Sequence, residues 1–122
     1  MKIVLKGNPK STQSIYKAAH KRVTIMYMTH EGKALKEDYQ WQAKSQYKGP
    51  MLTKELDIDI KLYFKDKRVR DWDNYHKLSM DALTGIVWKD DSLIQRATVE
   101  KFIDKTNPRI EMIIEWWTLM RR

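Results

Sequence analysis

Residues 52–64, LTKELDIDIKLYF, contain the most regular pattern in the chain. From Leu56 to Phe64 every second residue is apolar, and the positions between are mostly charged. This period of two places alternate side chains on opposite faces of a strand. We therefore predict a strand over Leu52–Phe64, with one face in the core and with Asp57 and Asp59 on a solvated face.

The stretch that follows, Lys65 to Asp91, reads KDKRVRDWDNYHKLSMDALTGIVWKDD. Its first six residues predict a basic loop or strand extension. A helix is expected to begin near Asp73 and to end at Gly85, where glycine favours termination. At 100° per residue, one side of this helix is apolar and is expected to pack on the sheet, namely Tyr75, Leu78 and Ala82.

Upstream, the patterns predict a strand at residues 2–6, a surface loop over 7–21 and a second strand over Arg22–Met28. Thr29 is a suitable N-cap for a helix from His30 to about Tyr47, which Gly49-Pro50 ends. The loop is long enough to suggest a function.

Downstream, residues 93–103 and 108–118 each predict a strand, and a turn around Asp104–Pro108 joins them. We expect an antiparallel C-terminal hairpin. The element order favours an α+β fold: a single domain over residues 1–122, with one mixed sheet and two packed helices.

The composition narrows the functional classes. A chain of 122 residues without cysteine has neither disulfides nor thiolate zinc sites, which is typical of a reducing cytoplasm. The apolar runs are too short for a membrane span, and the first ten residues are unlike a signal peptide. Any metal must therefore bind oxygen or imidazole ligands.

The charge points to an anionic partner. The chain carries 24 lysines and arginines against 16 acidic residues, a net charge of +8. Nucleic acid is the leading candidate partner, although solubilising lysines are a simpler explanation. The basic residues cluster, since the first acidic residue is Glu31. The predicted phosphate contacts are Lys10, Lys67, Arg68 and Arg70.

Four carboxylates and a lysine form the candidate catalytic set: Asp71, Asp73, Asp90, Asp91 and Lys77. Carboxylates from separate segments are the ligands that Mg²⁺ or Mn²⁺ takes. Lys77, one turn into the predicted helix, would stabilise charge on a scissile phosphate or position the attacking water. The pattern favours a metal-dependent nuclease.

Simpler explanations exist for each acid. Asp73 is a good N-cap whatever its function. Asp73, Lys77 and Asp81, four residues apart, can form a surface ion-pair ladder, and Asp90-Asp91 can be turn residues. In that case the protein is a non-catalytic DNA-binding module.

The run Arg70-Asp71-Trp72-Asp73-Asn74 resembles the RusA family of Holliday junction resolvases. The resemblance extends over nearly the whole chain, through residues 7–12 and 27–33 upstream and through Lys77, Asp81-Ala82-Leu83, Gly85, Trp88 and Asp90-Asp91 downstream.

This resemblance implies a homodimeric, Mg²⁺-dependent endodeoxyribonuclease that nicks four-way DNA junctions symmetrically in recombination and repair. It implies that Asp71, Asp73 and Asp91 bind the metal and that Lys77 is the essential basic residue. Whether Asp90 or Asp91 reaches the metal stays open. A nuclease acting on other branched DNA is the remaining alternative.

Overall fold

The structure is a computed structural model, and it describes residues 1–11, 15–20, 24–68, 70 and 74–118, with backbone alone for 16–20, 24 and 25. In chain order, the elements are β1 (Lys2–Lys6), β2 (Tyr16–His20), β3 (Thr24–Met28), α1 (His30–Gln46), β4 (Leu56–Phe64), α2 (Lys77–Leu83), a 3-10 helix (Asp91–Leu93), β5 (Ile94–Ile103) and β6 (Arg109–Trp116).

Four strands form a mixed sheet in the order β1-β6-β4-β5. β5 runs parallel to β4, whereas β6 is antiparallel to both β4 and β1. The predicted α+β class, mixed sheet and two helices are confirmed. The expectation of one sheet is not, because β2 and β3 form a separate two-stranded sheet.

The predicted C-terminal hairpin is wrong. β5 and β6 do not pair with each other, because β4 lies between them and pairs with both. The turn after β5 crosses the end of β4, where the Asp104 N–H donates to the Phe64 carbonyl at 2.8 Å. β4 has a fully apolar core face, and such a strand buries more of its surface at the centre of a sheet than at its edge. At the centre, both edges of the strand are also paired with a neighbour.

Several predicted boundaries shift. β4 begins at Leu56 rather than Leu52, and Leu52 instead forms an isolated bridge with Trp88. The second helix begins at Lys77 rather than near Asp73, and its N-cap residue His76 makes no side-chain capping bond. Before that helix, Tyr75 sets its ring edge against Phe64 with 5.1 Å between centroids, which holds the chain against the end of β4.

The predicted loop over 7–21 contains strand β2. Ile15, just before this strand, is buried at 2% exposure, and its carbonyl accepts a 2.7 Å bond from the Thr29 N–H. The burial of this one side chain fixes the residue before β2 against the start of α1.

The core lies between the helices and one face of the four-stranded sheet. The alternate residues of β4 from Leu56 to Phe64 are all buried, as predicted. α2 contributes Leu78 and Ala82, also as predicted, and Trp88 is fully buried beside them. Within the described part of the chain, no helix has the length and apolar character needed to cross a membrane.

Helix α1 is capped as predicted, since the Thr29 hydroxyl accepts a 3.1 Å bond from the Gly32 N–H. The same helix covers the open edge of β1. The Gln46 amide bonds both the N–H and the carbonyl of Val4, at 2.8 and 2.6 Å. Gln42 likewise accepts from the Lys6 N–H at 2.7 Å. These two amides occupy the hydrogen-bonding positions that a neighbouring strand would fill.

The solvated position predicted for Asp57 is wrong, because its residue is only 3% exposed. Arg96 on β5 lies opposite Asp57 in register, and its Nη1 donates to the carboxylate at 3.2 Å. A buried carboxylate needs such a partner. Asp59 remains half exposed and accepts a bond from Thr98.

Candidate active site

The loop after β4 is organised around Arg70. The Arg70 side chain is 8% exposed, and its Nη2 lies 2.5 Å from Asp66 Oδ1. Nη1 donates to the Asp66 carbonyl at 3.1 Å, and Cζ lies 4.2 Å from the centroid of the Phe64 ring. The hydrogen bond from Arg70 holds the pKa of the Asp66 carboxyl below its usual range, so the pair is ionised at neutral pH.

Lys67 and Arg68 extend from the same loop into solvent. Arg68 is 78% exposed and has a 3.5 Å contact between Nε and Asp66 Oδ2. The loop and the end of β5 together line an open cleft of about 380 Å³. Its lining residues are Phe64, Asp66, Lys67, Arg68, Arg70, Lys101, Phe102 and Ile103. This cleft has the cationic and aromatic surface that suits a nucleic-acid strand.

The basic N-terminal segment lies beside this loop. The side-chain oxygen of Asn8 accepts a 3.0 Å bond from the Lys65 N–H, across 57 residues of sequence. Lys10, two residues further along, is exposed. The structure thus brings the Lys10 segment next to the predicted basic loop, which sequence spacing alone does not show.

Asp71 and Asp73 lie outside the described residues. The described chain ends at Arg70 on one side of them and resumes at Asn74 on the other. Their predicted roles as catalytic and metal-binding carboxylates stay predictions.

Lys77 is the first residue of α2. Its side chain is 61% exposed, and Nζ lies 4.0 Å from Asp81 Oδ2. This i, i+4 pair is one rung of the ion-pair ladder considered as an alternative, and at such exposure it contributes little to stability. The Lys77 ammonium is therefore accessible from solvent.

Asp90 and Asp91 are both exposed and begin the 3-10 helix before β5. Asp90 Oδ1 accepts a 3.1 Å bond from the Ser92 N–H, and this bond is the largest cause of a lowered Asp90 pKa. Asp90 thus caps the turn, as the alternative explanation expects. The Asp91 carboxylate is also exposed, which suits a metal ligand.

The acid pair and the basic loop lie at opposite ends of β4. Ile94, just after the pair, lies opposite Leu56 at the start of that strand, whereas Arg70 follows its end. Nine residues of strand span roughly 26 Å. Trp88 is buried against the core, and α2 returns the chain toward the acid pair, but the approach of Asp91 to Lys77 stays a prediction.

A divalent metal ion needs several oxygen ligands close together. Among residues 1–11, 15–20, 24–68, 70 and 74–118, no group of three or more His, Asp or Glu side chains is placed to hold one. The exposed oxygens of Asp90 and Asp91 have the chemistry that Mg²⁺ requires. The roles predicted for Asp71 and Asp73 would add two carboxylates to these.

Two residues with site contacts were missed by the sequence reasoning. Asp66 bonds Arg70, and Lys101 Nζ lies 2.5 Å from the Arg70 carbonyl. The i, i+4 spacing of Asp66 and Arg70 gave a signal for the first contact. No local pattern signals the second, since 31 residues separate the partners.

Two comparisons with known proteins found similar sequences. A family model described as Endodeoxyribonuclease RusA matches residues 6–115. The Crossover junction endodeoxyribonuclease RusA of Aquifex aeolicus (strain VF5) is 32% identical over 63 residues, which are 50% of this chain and 50% of that protein. The chain thus spans about half the length of this curated relative.

The family match extends from the end of β1 into β6, and it contains the basic loop, the Asp71-Trp72-Asp73 segment, Lys77 and the acid pair. It covers far more than half of the chain, so this chain belongs to the RusA family of endodeoxyribonucleases.

Proposed function

We propose that this protein is a structure-specific endodeoxyribonuclease that resolves four-way DNA junctions in recombination and repair. The family match over residues 6–115 carries the proposal. The structure supports it with a basic cleft at residues 64–70, which leads along the chain directly into Asp71-Trp72-Asp73. Carboxylates that directly follow a basic segment in the chain suit phosphate chemistry better than simple binding, because carboxylates alone repel DNA.

The proposed cofactor is Mg²⁺, with Mn²⁺ as a substitute. Asp71, Asp73 and Asp91 would hold the ion, and Asp90 is a further candidate. The chemistry that such an ion supplies when bound is a more acidic water and compensation of charge on the scissile phosphate. All four candidate ligands offer carboxylate oxygen, which matches the preference of hard cations.

Lys77 would contact the scissile phosphate or the leaving oxygen. Its exposed ammonium, 4.0 Å from Asp81, is only weakly held. A positive charge placed where negative charge develops lowers the barrier to phosphodiester cleavage. Lys10, Lys67 and Arg68 would hold phosphates around the cut. The phosphate contact predicted for Arg70 would have to use the small part of its guanidinium that remains exposed.

Two symmetric cuts require two sites related by a two-fold axis. We therefore propose that the working form is a homodimer, in which each protomer supplies one set of carboxylates. Light scattering in solution measures this directly, and a strictly monomeric protein that still makes paired nicks would contradict it.

The test uses a synthetic four-way junction and a linear duplex, each incubated with Mg²⁺ and with EDTA. We expect paired nicks in the junction only with Mg²⁺. Asp71→Asn and Asp73→Asn should abolish cleavage and keep junction binding, whereas Asp81→Asn, on the same predicted helix face, should keep both.

Three other outcomes are informative. Junction binding without cleavage under any divalent ion would show a non-catalytic DNA-binding module. Cleavage of flaps or replication forks in preference to four-way junctions would move the substrate to other branched DNA. Loss of folding in the Asp71→Asn and Asp73→Asn variants would give these residues a structural role.

A further inference from the structure

Arg70 is held at both of its ends by residues with no assigned role. Its guanidinium lies between Asp66 and the Phe64 ring and is almost buried. Its carbonyl accepts a bond from Lys101 Nζ at 2.5 Å. We name Phe64, Asp66 and Lys101, together with Arg70, the Arg70 clamp.

The Lys101 contact is unusual for its place in the sheet. Lys101 lies opposite Leu62 in register, and Leu62 faces the core. Lys101 is therefore on the core side of β5, where the neighbouring positions on that side include Val99 and Ile103. Its ammonium reaches the backbone of the loop after β4. A charged donor makes a stronger bond to a carbonyl than a neutral donor.

The other flank of the same segment is held by the same ring. Tyr75 meets Phe64 edge-on with 5.1 Å between centroids, while Arg70 Cζ lies 4.2 Å from the same ring centroid. Phe64 is a core residue at 2% exposure. Both flanks of the four-residue segment 71–74 therefore contact one fixed side chain.

The Arg70 carbonyl belongs to the peptide bond that joins Arg70 to Asp71. A peptide unit is planar, so a bond to this carbonyl restrains the orientation of the whole peptide unit. Metal ligands must be held within about 0.5 Å of their working positions, and ligands on loops need added support to achieve this.

We propose that Asp66 and Lys101 are positioning residues for the Asp71–Asp73 segment. They act through Arg70: Asp66 fixes its guanidinium and Lys101 fixes its carbonyl. This inference rests on the proposed function, in which Asp71 and Asp73 bind the metal. It also gives Arg70 a task within the protein, separate from any contact with DNA.

Both residues can be changed without disturbing the core. The Asp66 side chain is 32% exposed, and Lys101 is exposed. Asp66→Ala removes the guanidinium partner, and Asp66→Asn keeps an acceptor oxygen. Lys101→Met removes the donor, and Lys101→Arg keeps one. Lys105→Met, at an exposed lysine of the turn after β5, is the matched control for loss of charge.

The experiment makes four measurements on each full-length variant: single-turnover cleavage of a four-way junction, junction affinity in EDTA, Mn²⁺ affinity without DNA by calorimetry, and melting temperature. We expect Asp66→Ala and Lys101→Met to slow cleavage at least tenfold and to weaken Mn²⁺ binding at least fivefold. Melting temperature should stay near wild type. Junction affinity should change by less than the loss in cleavage rate, which is measured with the junction saturated. Asp66→Asn and Lys101→Arg should recover part of both losses, and Lys105→Met should match wild type.

Asp71→Asn serves as the reference variant. If it binds Mn²⁺ and cleaves like wild type, the proposed metal site fails. If it loses both activities while Asp66→Ala and Lys101→Met keep them, only the positioning role is overturned. Weaker junction binding with unchanged cleavage at saturation would make Lys101 a phosphate contact, which also overturns it. The positioning role would also be overturned if the losses of cleavage and of Mn²⁺ binding followed a fall in melting temperature in both variants.

Discussion

The indole N–H of Trp88 donates a 2.9 Å hydrogen bond to the hydroxyl of Thr84. Trp88 is fully buried, and the same hydroxyl donates to the Met80 carbonyl at 3.0 Å. Gly85, between them, has a φ of 86°, which glycine adopts without strain. This turn carries the chain from α2 to Asp90 and Asp91.

Thr84→Val should destabilise the protein because it leaves the buried Trp88 N–H without its partner. We expect a loss of about 1–3 kcal/mol in the free energy of unfolding, measured by urea denaturation. Thr84→Ser keeps the hydroxyl and is the matched control, so it should lose much less. A Thr84→Val variant as stable as wild type would show that the hydrogen bond does not contribute.

The edge of β1 gives a second prediction. Gln42→Ala with Gln46→Ala removes the side-chain bonds to the backbone of Val4 and Lys6. Water can replace part of these bonds, so we expect a loss of about 1–2 kcal/mol. The newly open strand edge should also raise aggregation on heating, measured by light scattering.

Glu37→Ala, on an exposed position of the same helix, is the control for this pair. It removes a side chain of similar length from the same helix. Aggregation at the wild-type level in the double variant would mean that the glutamines do not protect the edge.

Acid should destabilise the turn between β5 and β6. Arg109 Nη1 donates to Asp104 Oδ2 at 2.8 Å, and this bond is the main cause of a lowered Asp104 pKa. A carboxyl whose pKa is lower in the folded state contributes stability above its unfolded pKa, about 4. That contribution is lost as the pH falls through this value toward the folded pKa.

Asp104→Asn should therefore lose less stability than wild type between pH 7 and pH 3, measured by urea denaturation at each pH. Lys105→Gln changes a neighbouring charge that does not titrate in this range, and it should follow the wild-type loss. An Asp104→Asn variant with the full wild-type acid loss would contradict the assignment.

DNA affinity should depend steeply on salt, because bound phosphates release counterions. Lys67→Gln and Arg68→Gln should each weaken junction binding and reduce the slope of log affinity against log salt by about 1. A fluorescence anisotropy titration at several salt concentrations measures this slope. Lys48→Gln, at an exposed lysine after α1, is the control, and a slope unchanged in all three variants would place the DNA elsewhere.

The sequence by itself determined the elements with strong local patterns. The alternation from Leu56 to Phe64 defined β4, and Thr29 marked the start of α1, because a strand face and a helix cap are set by residues a few positions apart. The order Arg70-Asp71-Trp72-Asp73-Asn74 likewise indicated the family without any structure.

Only the tertiary structure decided which strands pair and which charges are buried. β5 lies parallel to β4 instead of forming a hairpin with β6, and Arg96 on that strand is the partner that allows Asp57 to be buried. Lys101 reaches the Arg70 carbonyl because its strand, β5, lies next to β4. Each of these contacts joins residues about 30 to 40 positions apart. The free energy that selects them comes from burying one face of the whole sheet. No local sequence pattern contains that quantity.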